Sequence, residues 1–287
     1  MKILITGSGG QLAQEFLKVL PAAGHEVIAP AEQSLDISDR AVVRQTVAAS
    51  GPDLVLNCAA YNNVDKAEKD DADAAYRVNA LGPKNLAAAC REYDALMVHY
   101  SSDYVFDGLK EDLYAEDDAT VPINNYGETK RAGEIFVMEE AAEYLIFRLS
   151  WVFGEGRQNF LFKLLEWAKK KRVLKIVSDQ VSVPTYTEDI ARATMSAVDK
   201  DLRGLYHLTN SGYASRYEVA RYFLEKAGAE NIVLPVTSDL FPSPARRPYF
   251  SAMSNSKLAS ALGYKLPDWK NAVDRHVEKN RNSIKGG

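Results

Sequence analysis

The short run KILIT (2–6) passes straight into TGSGGQLA, and a helical pattern starts inside that glycine loop. A chain that leaves a strand by a glycine turn and enters a helix without a spacer is set up for a crossover. The next strand then returns parallel to the first. The alternation continues through the first half. EVIAP (26–30), DLVLNCAA (53–60), LMVHYSSD (96–103) and YLIFRLSWVFG (144–154) read as strands. Between them lie GQLAQEFLKVLPAAG (10–24), SDRAVVRQTVAAS (38–50) with Ser38 as its N-cap, a helical stretch over 66–94 broken at Gly82-Pro83, and YGETKRAGEIFVMEEAA (126–142). FLFKLLEWAKK (160–170) follows as a further helix. The strand runs are continuously apolar rather than alternating, which predicts a sheet covered on both faces. The expected fold is α/β, a doubly wound parallel sheet of the Rossmann type. From about residue 152 the rhythm loosens, and SDLFPSPARRPYF (238–250) is loop-rich. The expected organisation is a dinucleotide-binding core over 1–151 and a smaller, mainly substrate-binding region over 152–287. The two are interleaved, with some later segments returning to the sheet.

The glycine loop carries the first functional expectation. Gly7, Gly10 and Ala13 are spaced G-x-x-G-x-x-A. Small residues there let backbone N–H groups approach a pyrophosphate at a helix N-terminus, and Ala13 still permits close helix–strand packing. The tip of the second strand, Ala29-Pro30-Ala31, has neither the carboxylate expected for a free ribose 2′-hydroxyl nor an arginine for a 2′-phosphate. The reading leans slightly to NADPH over NADH. Asp36 and Ile37 are candidates for the adenine end.

Tyr126 and Lys130 in NYGETK present a Tyr-x-x-x-Lys spacing. Spacing alone decides nothing. With 15 tyrosines in 287 residues, roughly one such pair arises by chance, and Tyr222 and Lys226 form a second. Position separates them. In a doubly wound sheet, ligands bind beyond the carboxyl ends of the strands. The helix of Tyr126 starts just after the fourth strand, which ends in Ser102, Asp103 and Tyr104, whereas Tyr222 lies mid-helix with no strand end near it. Residues four apart share a helix face. A phenol is a reluctant acid–base group, with an ordinary pKa of about 10, and an ammonium beside it is expected to lower that value. Hydride delivery to a ketone makes an alkoxide that needs a proton, and Ser102 is placed to bond the same oxygen.

Charge excludes other classes. A net charge of −4 gives no basic surplus for nucleic acid, and KKKR (169–172) reads as a solvated helix end. No apolar run reaches the roughly 18 residues of a membrane span. MKILIT already reads as a strand, so no secretory signal is expected. Cys58 and Cys90 lie in apolar contexts and read as reduced buried thiols, which suits a cytoplasmic protein. Glu188 and Asp189 read as a helix N-terminal pair, so no metal site is expected.

TGSGGQLA, SSDYVFDG and YGETK together resemble the extended short-chain dehydrogenase/reductase superfamily. Within it, GGQLA, LNCAAYNNVDKAE, HYSSDYVFDG, NNYGETKRAGE, FRLSWVFG, GLYHLTNSG and PARRPYFSAM resemble the dTDP-4-dehydrorhamnose reductase family along the whole chain. The resemblance implies NAD(P)H-dependent reduction of the C4 ketone of dTDP-4-dehydro-L-rhamnose to dTDP-L-rhamnose. It implies Tyr126 as proton donor, Lys130 on the nicotinamide ribose, and Ser102 modulating Tyr126. Gly10, Gln11 and Leu12 would touch the pyrophosphate. Ala59, Ala60, Tyr61 and Asn62 would line the cofactor, and Ser102, Asp103, Tyr104 and Trp151 the substrate. It admits a homodimer. Alternatives are another nucleotide-sugar ketoreductase, an epimerase, or a non-catalytic NADP-binding regulatory subunit. The family usually has glycine at Ala13 and threonine at Ser102 and Asn62. Arg246 and Arg247 are candidates for the diphosphate or for packing of the substrate region.

Overall fold

Residues 1–281 are described by the structure, a computed structural model; positions 282–287 lie outside the described residues. Five strands, β1 (Lys2–Thr6), β2 (Glu26–Ile28), β3 (Leu54–Asn57), β4 (Leu96–Ser102) and β5 (Tyr144–Leu149), are joined by a later one, Gly204–His207. All pair in parallel, in the order Gly204–His207, β5, β4, β3, β1, β2. The reversal of order falls between β1 and β3, both of which point their carboxyl ends at one cleft.

The helices are α1 (Gln11–Ala22), α2 (Arg40–Ser50), α3 (Val64–Ala67), α4 (Ala72–Tyr76), α5 (Gly82–Glu92), α6 (Asn125–Glu140), α7 (Phe160–Lys170), α8 (Thr187–Asp199), α9 (Arg216–Ala227), α10 (Ser256–Leu262) and α11 (Trp269–Lys279). Adjacent strand residues bury on opposite faces. Ile3, Ile5, Leu54, Leu56 and Phe147 pack under α1, α8 and α10, while Leu4, Val55, Met97 and Ile146 pack under α2, α5 and α6. Both faces are therefore dry, as the unbroken apolar runs require. A separate core joins Phe153, Leu164, Leu174, Ile176, Phe223, Trp269 and Val273. There α7, α9 and α11 pack with a two-stranded parallel ribbon, Val173–Val177 with Ile232–Val236.

Three local expectations are corrected. The N-cap of α2 is Asp39, whose carboxylate accepts from Ala41 and Val42 N–H groups; Ser38 instead donates its backbone N–H to Asp36. The helix does not break at Gly82-Pro83. It runs from α4 through a wide π turn (Arg77–Leu81) into α5. Pro83 has no N–H for the Asn79 carbonyl, which lies instead against α6, where a Cβ on Gly133 would come within 2.2 Å of it. The fifth strand ends at Leu149; Trp151 then takes a φ of +37°, and Val152–Phe153 pairs with Thr185–Tyr186. A bulky residue in the left-handed region is strained, and the turn swings the indole into the cleft.

Candidate active site

The cleft lies beyond the carboxyl ends of β1, β3, β4 and β5 and encloses about 310 Å³. Gly10, Gln11, Leu12, Ala59, Ala60, Asn62, Ser102, Asp103, Tyr104, Tyr126, Lys130 and Trp151 all line it. Sequence positions more than a hundred residues apart thus meet in one space.

The glycine loop is shaped for a diphosphate. Gly7 has φ +64°, and a Cβ there would sit 2.6 Å from the Ala59 backbone. Gly10 caps α1 with no side-chain hydrogen bond. The first-turn N–H groups of α1 thus keep their donors for an anion. These residues fit the pyrophosphate of a nicotinamide dinucleotide. Asp36 and Ile37 lie outside the cleft. Ile37 is buried against Gly82, and Asp36 is exposed, its carboxyl held below the usual range chiefly by Ser38 hydrogen bonds. Arg77, not singled out in the sequence, reaches Ser38 Oγ at 3.2 Å and so brings a cation to this end. Tyr61 turns from the cleft: its hydroxyl donates to Asp71 at 2.6 Å, which pushes the phenol up to about 12.

Two glycines let α6 close down on its surroundings. A Cβ on Gly127 would meet the Tyr104 carbonyl at 2.2 Å, and Gly133 makes the contact with Asn79 described above. Asn124 caps the helix by accepting from Gly127 N–H, and its amide donates to the Arg246 carbonyl at 2.7 Å. Tyr126 and Lys130 consequently point into the cleft from a helix that is fixed at its first turn. The Tyr126 hydroxyl donates to Asn62 Oδ1 at 3.4 Å, and its ring meets Tyr104 edge-on. Burial drives the phenol pKa up, with a hydrogen bond from Ser102 opposing. The lowering expected from Lys130 is therefore not found: desolvation dominates and the phenol pKa moves up instead. Lys130 is 2% exposed, donates to the Tyr100 carbonyl at 2.6 Å, and is pushed down to about 8 by burial, with Glu134 opposing.

Asp103 behaves as an anchor. Its carboxylate accepts from Ser182 at 2.9 Å, Ser251 at 2.6 Å and Ser102 at 3.1 Å, while burial raises its pKa. It thereby ties β4 to two segments of the later region. Sequence reasoning also missed the ion pair of Glu134 with Arg148, at 2.8 and 2.9 Å and almost wholly buried. Glu134 follows Lys130 by one helical turn, a spacing that was legible but whose partner on β5 was not. Arg247 pairs with Asp65 at 2.8 Å, and Arg246 lines a neighbouring hollow of about 490 Å³.

A further cavity of about 650 Å³ adjoins the cleft, walled by Phe160, Trp167, Leu174, Ile176 and Phe241. Arg216 stands at the junction: its guanidinium carbon lies 3.7 Å over the Trp151 ring and 5.1 Å from the Phe160 ring. Nothing in ASRYEVA marked this arginine.

A Rossmann-type sheet, a glycine-turned helix N-terminus and a buried Tyr-x-x-x-Lys pair define a nicotinamide-dependent oxidoreductase of the short-chain dehydrogenase/reductase kind. The family described as RmlD substrate binding domain matches residues 1–282. The dTDP-4-dehydrorhamnose reductase of Mycolicibacterium smegmatis is 40% identical over 281 residues, covering 96% of this chain and 85% of that protein. A spore coat polysaccharide biosynthesis protein of Bacillus subtilis, SpsK, is 37% identical, covering 97% of each chain. A dTDP-4-dehydrorhamnose reductase from Bacillus anthracis, solved in complex with NADP, superposes with a TM-score of 0.93 at 33% identity, covering 97% of this chain and 99% of that one. The chain belongs to the RmlD family.

Proposed function

We propose that the protein reduces the C4 ketone of dTDP-4-dehydro-L-rhamnose to give dTDP-L-rhamnose. The observation that carries this reading is the buried Tyr126–Lys130 pair at the wall of a cleft that also contains a dinucleotide loop. The relatives' shared name and the NADP complex of a structural neighbour support it.

Gly7, Gly10 and the first turn of α1 would hold the pyrophosphate, and the bound dinucleotide supplies a hydride. This chain's residues then have separate tasks. Ser102 Oγ, turned from Asp103, orients the ketone oxygen by donating a hydrogen bond. Tyr126 donates its proton to that oxygen as negative charge grows on it. Lys130, when charged, favours the tyrosinate left behind. Trp151 offers a flat indole to the sugar ring. The region from residue 152 onward would receive the substrate's nucleotide half in the 650 Å³ aromatic-walled cavity adjoining the cleft.

The test is NADPH and NADH oxidation, followed at the nicotinamide absorbance band, with enzymatically prepared keto-sugar. Turnover by the wild type that collapses in Tyr126→Phe is the expected result. A folded wild type that binds NADPH yet turns nothing over would move the reading to another keto-sugar or to a regulatory subunit.

A further inference from the structure

Arg216 opens α9 and is held between aromatic rings from two cavities, Trp151 from the cleft and Phe160 from the adjoining space. Stacking occupies the faces of a guanidinium and leaves its edge, where the N–H donors lie, free. Among the described residues no carboxylate is within ion-pair distance of Arg216, and no hydrogen bond from its side chain is found. The other charged groups nearby make no direct contact with it. Asp103 is committed to three serine hydroxyls, and Arg247, a second cation, is paired with Asp65. Burial lowers the pKa of Arg216, with Tyr104 and Asp103 opposing. A stacked fork with no ion-pair or hydrogen-bond partner is a site for a planar or tetrahedral oxyanion.

We infer that Arg216 is the anchor for the diphosphate of the nucleotide sugar, gripping it where the sugar cleft and the nucleotide cavity meet. The inference rests on the nucleotide-sugar reading above and deepens it. A diphosphate is the chemical link between a sugar at Trp151 and a base in the aromatic-walled cavity, and Arg216 lines that cavity while stacking on the Trp151 ring of the cleft. Because the same Trp151 ring supports the guanidinium and faces the sugar, seating the diphosphate also fixes the indole against the ring that is to be reduced.

Isothermal titration of dTDP into the wild type, Arg216→Gln and Arg216→Lys tests this, with NADPH titrated into each as a control of the fold. Loss of a bidentate, charge-assisted contact is expected to weaken dTDP binding by about 10- to 100-fold in Arg216→Gln, with NADPH affinity unchanged within about twofold. Arg216→Lys should fall between, since an ammonium keeps the charge but loses the stacked fork. Equal dTDP affinity in wild type and Arg216→Gln overturns the anchor and leaves the proposed reaction standing. Loss of NADPH binding alongside dTDP assigns Arg216 to packing with Trp151 and overturns it as well. A wild type that binds NADPH but no dTDP removes the nucleotide-sugar reading itself.

Discussion

Tyr126 and Lys130 on α6 and Tyr222 and Lys226 on α9 have the same spacing on the same kind of element, yet their surroundings differ in every physical respect. On α6 the lysine is buried, its amine bonded to a carbonyl and its pKa pressed down to about 8. On α9 the lysine is exposed, 3.6 Å from Asp274, and its pKa is raised by that carboxylate. The first tyrosine faces a cavity. The second donates to Asp274 at 3.0 Å and packs edge-on against Trp269. A side-chain spacing therefore specifies only that two groups share a helix face. What they do is set by what that face is packed against.

The largest expected contrast is in turnover. Tyr126→Phe should lower kcat by about 10²- to 10⁴-fold, the usual worth of a placed proton donor, while Tyr222→Phe should keep kcat within about twofold; steady-state NADPH oxidation reads both. Equal losses would erase the distinction. Next comes the support beneath the first pair. Glu134→Gln leaves Arg148 buried without its partner and should cost about 3–5 kcal/mol in urea unfolding; among the described residues no comparable ion pair lies under α9.

The third prediction concerns pH. The folded-state pKa of Lys130, about 8, lies below its ordinary 10.5. Between those values the unfolded chain carries a proton that the folded chain has lost, so this group makes stability rise with pH through that window. For Lys226 the folded value is raised, so its contribution is present below 10.5 and lost as pH climbs beyond its folded value. Urea midpoints measured from pH 7.5 to 10 should rise less steeply in Lys130→Met than in the wild type. If the slopes coincide, Lys130 is not desolvated as described. The smallest effect is expected of Lys226→Met, which removes an exposed pair and should move the thermal midpoint by no more than about two degrees in a melting scan.

Much of this was legible because it depends on local chemistry. The glycine loop, the unbroken apolar strands and the Tyr126 helix each announce themselves within ten residues. The errors were also local in origin. Ser38 and Asp39 are both good capping residues, and side-chain geometry chose between them. Gly82-Pro83 signals a break in most contexts, but a π turn absorbed the missing donor. YLIFRLSWVFG is apolar without interruption, so nothing in its pattern marks the turn at Trp151.

The sequence by itself determined the doubly wound sheet, the position of the cleft at its carboxyl edge, and which of two identical spacings stands there. These follow from hydrophobic periodicity and strand–turn–helix order, properties of neighbouring residues. Only the tertiary structure decided that Tyr126 and Lys130 are buried together, that Asp103 binds Ser182 and Ser251, and that Arg216 stacks on Trp151. Those outcomes depend on desolvation and on partners dozens to more than a hundred residues away, and no local pattern encodes either.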